Sequence, residues 1–219
     1  MSTKARKANK GAGAGGGAEA AADAGPEPAG RGRDAVVRAV ARCFRRLGYG
    51  GTSMRAVSDE TGLGRSSLYH YFPGGKEEMA LAAIGAAQAI IEGPVAEALR
   101  APADPGIRLG TILDLLSDYY QDGALGCLLG VLATADCPPA VHRELSRLAR
   151  SWIDAVAGFL REAGHPEPEA AAARLVAALQ GGLVVSAATG DRTHFHAALE
   201  DVRGLLAAPV ANQEQPVIE

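Results

Sequence analysis

Cysteine is scarce in this chain: Cys43, Cys127 and Cys137 are three among 219 residues, too few and too scattered for a disulfide framework. Cys127, Cys137 and His142 stand ten and five residues apart, a spacing that matches no standard zinc pattern, so no metal or other cofactor is expected. Long apolar runs are also lacking. The longest, Ala124 to Ala133, is half of what a bilayer span needs, and Leu175 to Ala188 is interrupted by Gln180, so no membrane association is expected. The first ten residues lead into Gly and Ala instead of an apolar core, so they do not read as a secretory signal, and a reducing, cytoplasmic setting is expected. No segment alternates with period two and no repeat occurs at solenoid spacing, which points away from sheet and array architectures. Nucleophile–base pairings, phosphate loops and HExxH are absent as well, so an enzyme is not expected.

What is present is unevenly placed. Residues 1–76 carry thirteen Lys or Arg against six Asp or Glu, while residues 77–219 carry nine against nineteen. A basic head on an acidic body suggests that only the head meets a polyanion. Aromatic residues number ten, and five of them, Phe44, Tyr49, Tyr69, Tyr71 and Phe72, fall within 34–76.

Beyond Met1, residues 1–30 offer no large apolar side chain and read as a flexible Gly/Ala-rich tail; 209–219 reads as a second tail. From Asp34, an expected N-cap, Val36, Val40, Phe44 and Leu47 recur at helical spacing until Gly48. Thr52 or Ser53 can cap a short second helix ending at Thr61, Gly62 permits a sharp turn, and a third helix carries Leu68 and Phe72 four residues apart. Helices are expected at 76–100, bent at Gly93-Pro94, and at 106–121, 125–134, 139–163, 167–189 and 193–207. The fold class is therefore all-α: a three-helix head over 31–76 and a larger helical body over 77–208.

Two short helices joined by a glycine turn and braced by a third make a helix-turn-helix. Its second helix must present short or polar side chains for the backbone to approach base edges, and Arg65, Ser66, Ser67, Tyr69 and His70 suit this. Lys76, opening the next helix, adds a cation where a phosphate could sit. In the body, Val141, Leu145, Leu148, Trp152, Val156 and Phe159 form one apolar stripe. Gln180 is a lone amide on a helix otherwise of Ala, Leu and Val, expected to bond a ligand or a second subunit. Gly181-Gly182 beside it would admit another helix. His194 and His196 point apart and are expected at the surface.

The run through Gly62-Leu63-Gly64, Leu68-Tyr69-His70-Tyr71-Phe72 and Lys76-Glu77 resembles the DNA-binding domain of the TetR family of one-component repressors. Gly64 stands where the family usually has Ser, and Pro73-Gly74-Gly75 makes the following loop one residue longer than its commonest spacing. That loop, together with Gly126-Cys127, is similar to the LmrA/YxaF-like branch. The resemblance implies a homodimeric repressor that binds a palindromic operator in double-stranded DNA and is released by a small hydrophobic effector. Thr52, Arg65, Ser66, Tyr69, His70 and Lys76 fall at positions that contact DNA in relatives. For the effector, Ile84, Leu113, Leu116, Tyr120, Leu128, Trp152, Phe159 and Gln180 are the expected lining, and for the dimer Leu179, Gly182 and Leu183. The alternatives are a constitutive helical DNA-binding protein without ligand, and a helical enzyme or lipid-handling domain.

Overall fold

The computed structural model describes residues 32–207. The two expected tails, and with the first of them the basic Lys4, Arg6, Lys7 and Lys10, lie outside the described residues. Among the described residues there is no strand. The helices are α1 (Arg33–Gly51), α2 (Met54–Thr61), α3 (Arg65–Tyr71), α4 (Gly75–Ile90), α5 (Ala96–Arg100), α6 (Pro105–Tyr120), α7 (Leu128–Leu132), α8 (Pro139–Glu162), α9 (Pro168–Thr189) and α10 (Thr193–Ala207).

The N-cap of helix α1 lies two residues earlier than expected. Gly32 is its N-cap and provides no side chain, so Asp34 lies in the first turn, where its carboxylate favours the amide-rich end without capping it. Gly48 takes φ +67°, which a residue with a Cβ rarely adopts, and helical backbone resumes beyond it to Gly51. Val36, Val40, Cys43 and Phe44 turn inward against Val57 of α2 and Leu68 and Phe72, all but closed to solvent. Each of the larger side chains contributes roughly 1.5–3 kcal/mol by leaving water. Ser53 caps α2 by accepting from the Ala56 N–H at 3.2 Å, and Gly62 ends that helix in the left-handed region at φ +71°. The turn between α2 and α3 is tied by Ser58, whose hydroxyl donates to the Leu63 carbonyl at 2.6 Å. Glu60 bridges α2 back to α1 through Arg42 at 3.0 Å and Arg46 at 3.1 Å, and these bonds hold its carboxyl below the ordinary range.

The body packs α4 and α9 on either side of α8, with α10 on α9 and α7 reaching α1. The expected bend at Gly93-Pro94 is a single wide π-type turn over Ile91–Val95 that contains Pro94. A wide turn accommodates the missing proline N–H without ending the rod, so α4 and α5 run on from one another. By length and composition, 75–100 and 168–189 could each cross a bilayer, which a search for uninterrupted apolar runs misses. In the fold both are bundle helices, the first packed against α1 and α8, the second between α8 and α10.

Candidate nucleic-acid interface and internal chambers

The short α3 divides its residues cleanly. Leu68, with Phe72 directly after the helix, is fully buried, whereas Arg65, Ser66, Tyr69 and His70 are exposed and Ser67 is half-buried. Tyr69 is 51% exposed, an unusual state for a ring that water disfavours. Arg65 makes no ion pair among the described residues, while Arg42, Arg46 and Arg55 of the same head are each engaged by a carboxylate. A guanidinium not paired to a carboxylate thus stands at the start of α3, on its exposed side.

Two expected contacts are placed differently. Thr52 is buried, and its hydroxyl donates to the Gly48 carbonyl at 2.7 Å, so it closes the kinked end of α1 and has no donor left for a phosphate. Lys76 is half-buried, with Nζ 4.4 Å above the Tyr49 ring and 3.5 Å from the Gly50 carbonyl. The start of α4 beside it is occupied by the chain's own anion, since the Gly74 N–H donates to Glu78 Oε2 at 2.7 Å. Lys76 therefore leans from the start of α4 on the end of α1, with donors of its ammonium still open to solvent.

Inside the body lie two apolar chambers. Leu113, Leu116, Trp152 and Phe159 line the upper one with aliphatic residues of α9 and α10; Leu116, Tyr120, Leu128 and Trp152 line the lower one with Tyr119 and Cys127. Ile84 is buried but faces neither, and Gln180 lines neither. Their voids are about 50 and 30 Å³, far below the roughly 300 Å³ of a small ligand site. Anything larger than water must therefore move a wall. In the lower chamber the Tyr120 hydroxyl donates to Cys127 Sγ at 3.3 Å, and burial, reinforced by that sulfur, pushes the Tyr120 phenol well above its ordinary range. Burial likewise raises Tyr119. Both phenols are neutral at pH 7 and act as hydrogen-bond groups.

The lower chamber touches the head directly. Arg45 of α1 lies 4.2 Å above the Tyr119 ring and 6.0 Å from that of Tyr120. Below them sits Phe195, a residue that sequence reasoning missed: it is fully buried, 6.0 Å from Tyr120, and its N–H donates to Ser186 Oγ at 3.1 Å. Its neighbours His194 and His196 are exposed, as expected.

On α9 the expected interface residues face inward. Leu179 and Leu183 are buried within their own chain, and Gly182 packs on α10, where an added Cβ would lie 2.8 Å from the His194 carbonyl oxygen. The helix admitted by Gly182 is thus α10 of the same chain. The outer face of α9 is instead Ala177, Gly181, Val184, Val185 and Ala188. Gln180 also turns inward: both atoms of its amide are buried without a hydrogen-bond partner among the described residues, and Oε1 would lie 3.1 Å from a Cβ at Gly130. An unpaired buried amide costs about 1–3 kcal/mol. Gln180→Met, which keeps the shape, is expected to raise stability by about that amount, measured as the denaturation midpoint; a loss of stability would mean that the amide has a partner in solution.

Two family models match this chain: bacterial regulatory proteins, tetR family, over residues 36–83, and the tetracyclin repressor-like C-terminal domain over residues 127–209. Over 182 residues the chain is 28% identical to the HTH-type transcriptional regulator LmrA of Bacillus subtilis, covering 79% of this chain and 97% of that protein. It is 26% identical over 170 residues to the uncharacterized HTH-type transcriptional regulator YxaF of the same organism, covering 75% and 89%. A TetR transcriptional regulator from Legionella pneumophila has the same fold, with a TM-score of 0.71 over 83% of this chain and 98% of that one at 18% identity.

Proposed function

The chain belongs to the TetR family of DNA-binding transcriptional regulators, and from that premise we propose that it is a cytoplasmic, homodimeric repressor whose hold on a palindromic operator is released by a small hydrophobic effector. The observation that carries this reading is the contact between its two working parts. Arg45 belongs to the helix that braces the recognition helix, yet it rides on Tyr119 and Tyr120, which wall the lower chamber. Residues 31–76 act as the DNA-reading head and 77–208 as the body that senses and pairs.

On DNA, α3 enters the major groove. Arg65 reads a guanine edge or grips the backbone, Tyr69 and His70 reach phosphates, and Ser66 and Ser67 reach whichever lies nearer. A molecule that enlarges the lower chamber pushes on Tyr119 and Tyr120 and so on α1, while the rod from Gly75 carries the same displacement to the far side of the head. For such a molecule to move the protein from mostly bound to mostly free it must prefer the released state by about 5.5 kcal/mol.

Arg65→Ala should weaken operator binding by about 1–3 kcal/mol and relax the preference at one base position if the guanidinium reads guanine. Tyr69→Phe should weaken binding to operator and random duplex alike. Both are read from titrations of fluorescent duplexes at several salt concentrations; unchanged affinity in the double variant would remove α3 from the interface. The reading as a whole is tested by screening planar hydrophobic compounds for operator release, with Trp152, the single tryptophan, reporting occupancy by its fluorescence. Operator binding that no compound relieves would leave a constitutive regulator.

A further inference from the structure

The two chambers differ in chemistry and share a partition. Val95, Leu116 and Trp152 line both. Above them the walls are aliphatic, including Leu109, Ile112, Leu175 and Val176, and the indole of Trp152 is the one side chain of that lining that can form a conventional hydrogen bond. Below them the lining includes Tyr119, Tyr120 and Cys127, the residues of the lower chamber that carry hydroxyl or thiol groups. Neither void admits more than water-sized contents, but Trp152 has two side-chain torsions, and a turn of its indole together with yielding of the surrounding walls would join the spaces. The resulting channel is long, with one hydrogen-bonding end and one aliphatic end.

No charged side chain lines either chamber. Two guanidiniums stand behind the walls, Arg45 above Tyr119 and Arg108 5.0 Å from the Phe159 ring, and Arg108 is already committed to the Leu99 carbonyl and Glu162. Arg45 makes no ion pair among the described residues but does not line the lower chamber, so a carboxylate or ammonium within the lining would be buried without a charge partner in contact, which is strongly disfavoured. An uncharged group that hydrogen-bonds meets the Tyr119 and Tyr120 phenols and the Cys127 thiol at the lower end, where it can insert into the Tyr120–Cys127 hydrogen bond.

We propose that the two chambers are one binding site for an uncharged, elongated amphiphile, with its polar head held by Tyr119, Tyr120 and Cys127 and its alkyl tail passing Trp152 into the upper chamber. This rests on the effector reading above and sharpens it: the molecule is recognised by the length of its tail as much as by its head. A compact planar compound confined to one chamber is the competing occupant.

The n-alkyl esters of 4-hydroxybenzoic acid, from methyl to octyl, separate the two. Their affinities for the full-length protein are read from Trp152 fluorescence and from calorimetry. Each added methylene is expected to tighten binding by about fourfold, the fold-change of burying one such group, until the upper chamber is full. In Val176→Phe the gain should stop at a shorter tail while the methyl ester binds as before; Leu199→Phe serves the same purpose if that variant does not fold. Tyr120→Phe should weaken all chain lengths by a common factor. Affinity that is flat along the series, loss of the methyl and octyl esters in equal measure on Val176→Phe, or no binding by any ester would each overturn the single channel. Operator release is scored separately. Tail-dependent binding that leaves the operator occupied overturns the effector reading and leaves the channel standing, whereas release by compact compounds without tail dependence does the reverse.

Discussion

Val184→Glu is expected to yield a folded monomer that no longer protects a two-half-site operator. Val184 is 58% exposed and Val185 42% exposed, large apolar side chains on a helix whose outer face from Ala177 to Ala188 is otherwise Ala and Gly, with Arg174 one turn before it. Small residues let a second helix approach closely, and such a face calls for a partner. A carboxylate placed at its centre must be buried unpaired or hold the subunits apart, and within one chain it simply meets water. Dissociation removes the effective concentration that makes the second half-site easy to occupy, so operator affinity should fall by about two to four orders of magnitude. Leu183→Glu, one residue away, is the control: Leu183 is 2% exposed within its own chain, so that variant should unfold instead of dissociating. Light scattering, circular dichroism and footprinting distinguish these results, and a dimeric Val184→Glu protein that protects its operator would place the interface elsewhere.

Gly123→Ala should be the most damaging single-methyl change in the body. Gly123 adopts φ +81°, and a Cβ there would lie 2.8 Å from Phe195 Cβ and 2.9 Å from its Cγ. Those atoms cannot swing aside, because Phe195 is sealed beneath Tyr120 and its backbone N–H is tied to Ser186. Left-handed strain and overpacking each cost about 1–3 kcal/mol, so a loss of roughly 2–6 kcal/mol is expected, a fall in Tm of roughly 4–24 °C. Gly62→Ala calibrates the measurement. Its φ is similar, +71°, but an added Cβ would meet nothing, so only the strain remains. Equal melting points for the two variants would show that Phe195 yields, and that the packing behind Tyr120 is soft.

Most of the helical layout was legible because it rests on short-range rules. Proline opens α6, α8 and α9 near the expected places, glycine ends α2 and α9, and the stripe of α8 from Val141 to Phe159 is buried almost throughout. What depended on choosing between faces was not legible. Helix α9 is apolar nearly all round, so periodicity could not say that Leu179 and Leu183 would fill their own core and leave the smaller Val184 and Gly181 outside. Thr52 has the residue type of a phosphate contact, but its hydroxyl is taken by a carbonyl freed at the Gly48 kink, a long-range-neutral detail that only backbone geometry reveals. Phe195 was hidden by polar neighbours; the available signal was the pair Gly123 and Gly182, two small residues that make room for the segment it anchors.

The wide turn at Ile91–Val95 has a consequence for how this protein can change. Such a turn holds one residue more than the regular helical count, and each residue advances a helix by about 100°. Ile90 before it, Ile91 and Val95 at its two ends and Leu99 after it all line the chambers. Deleting Gly93 would swing everything beyond it by about a quarter of a revolution, giving the upper chamber a different lining while Lys76 and the first turns of α4 stayed seated on Tyr49. A single codon lost or gained at this point would thus re-line the interior of the body while leaving the DNA-binding head of the regulator as it is.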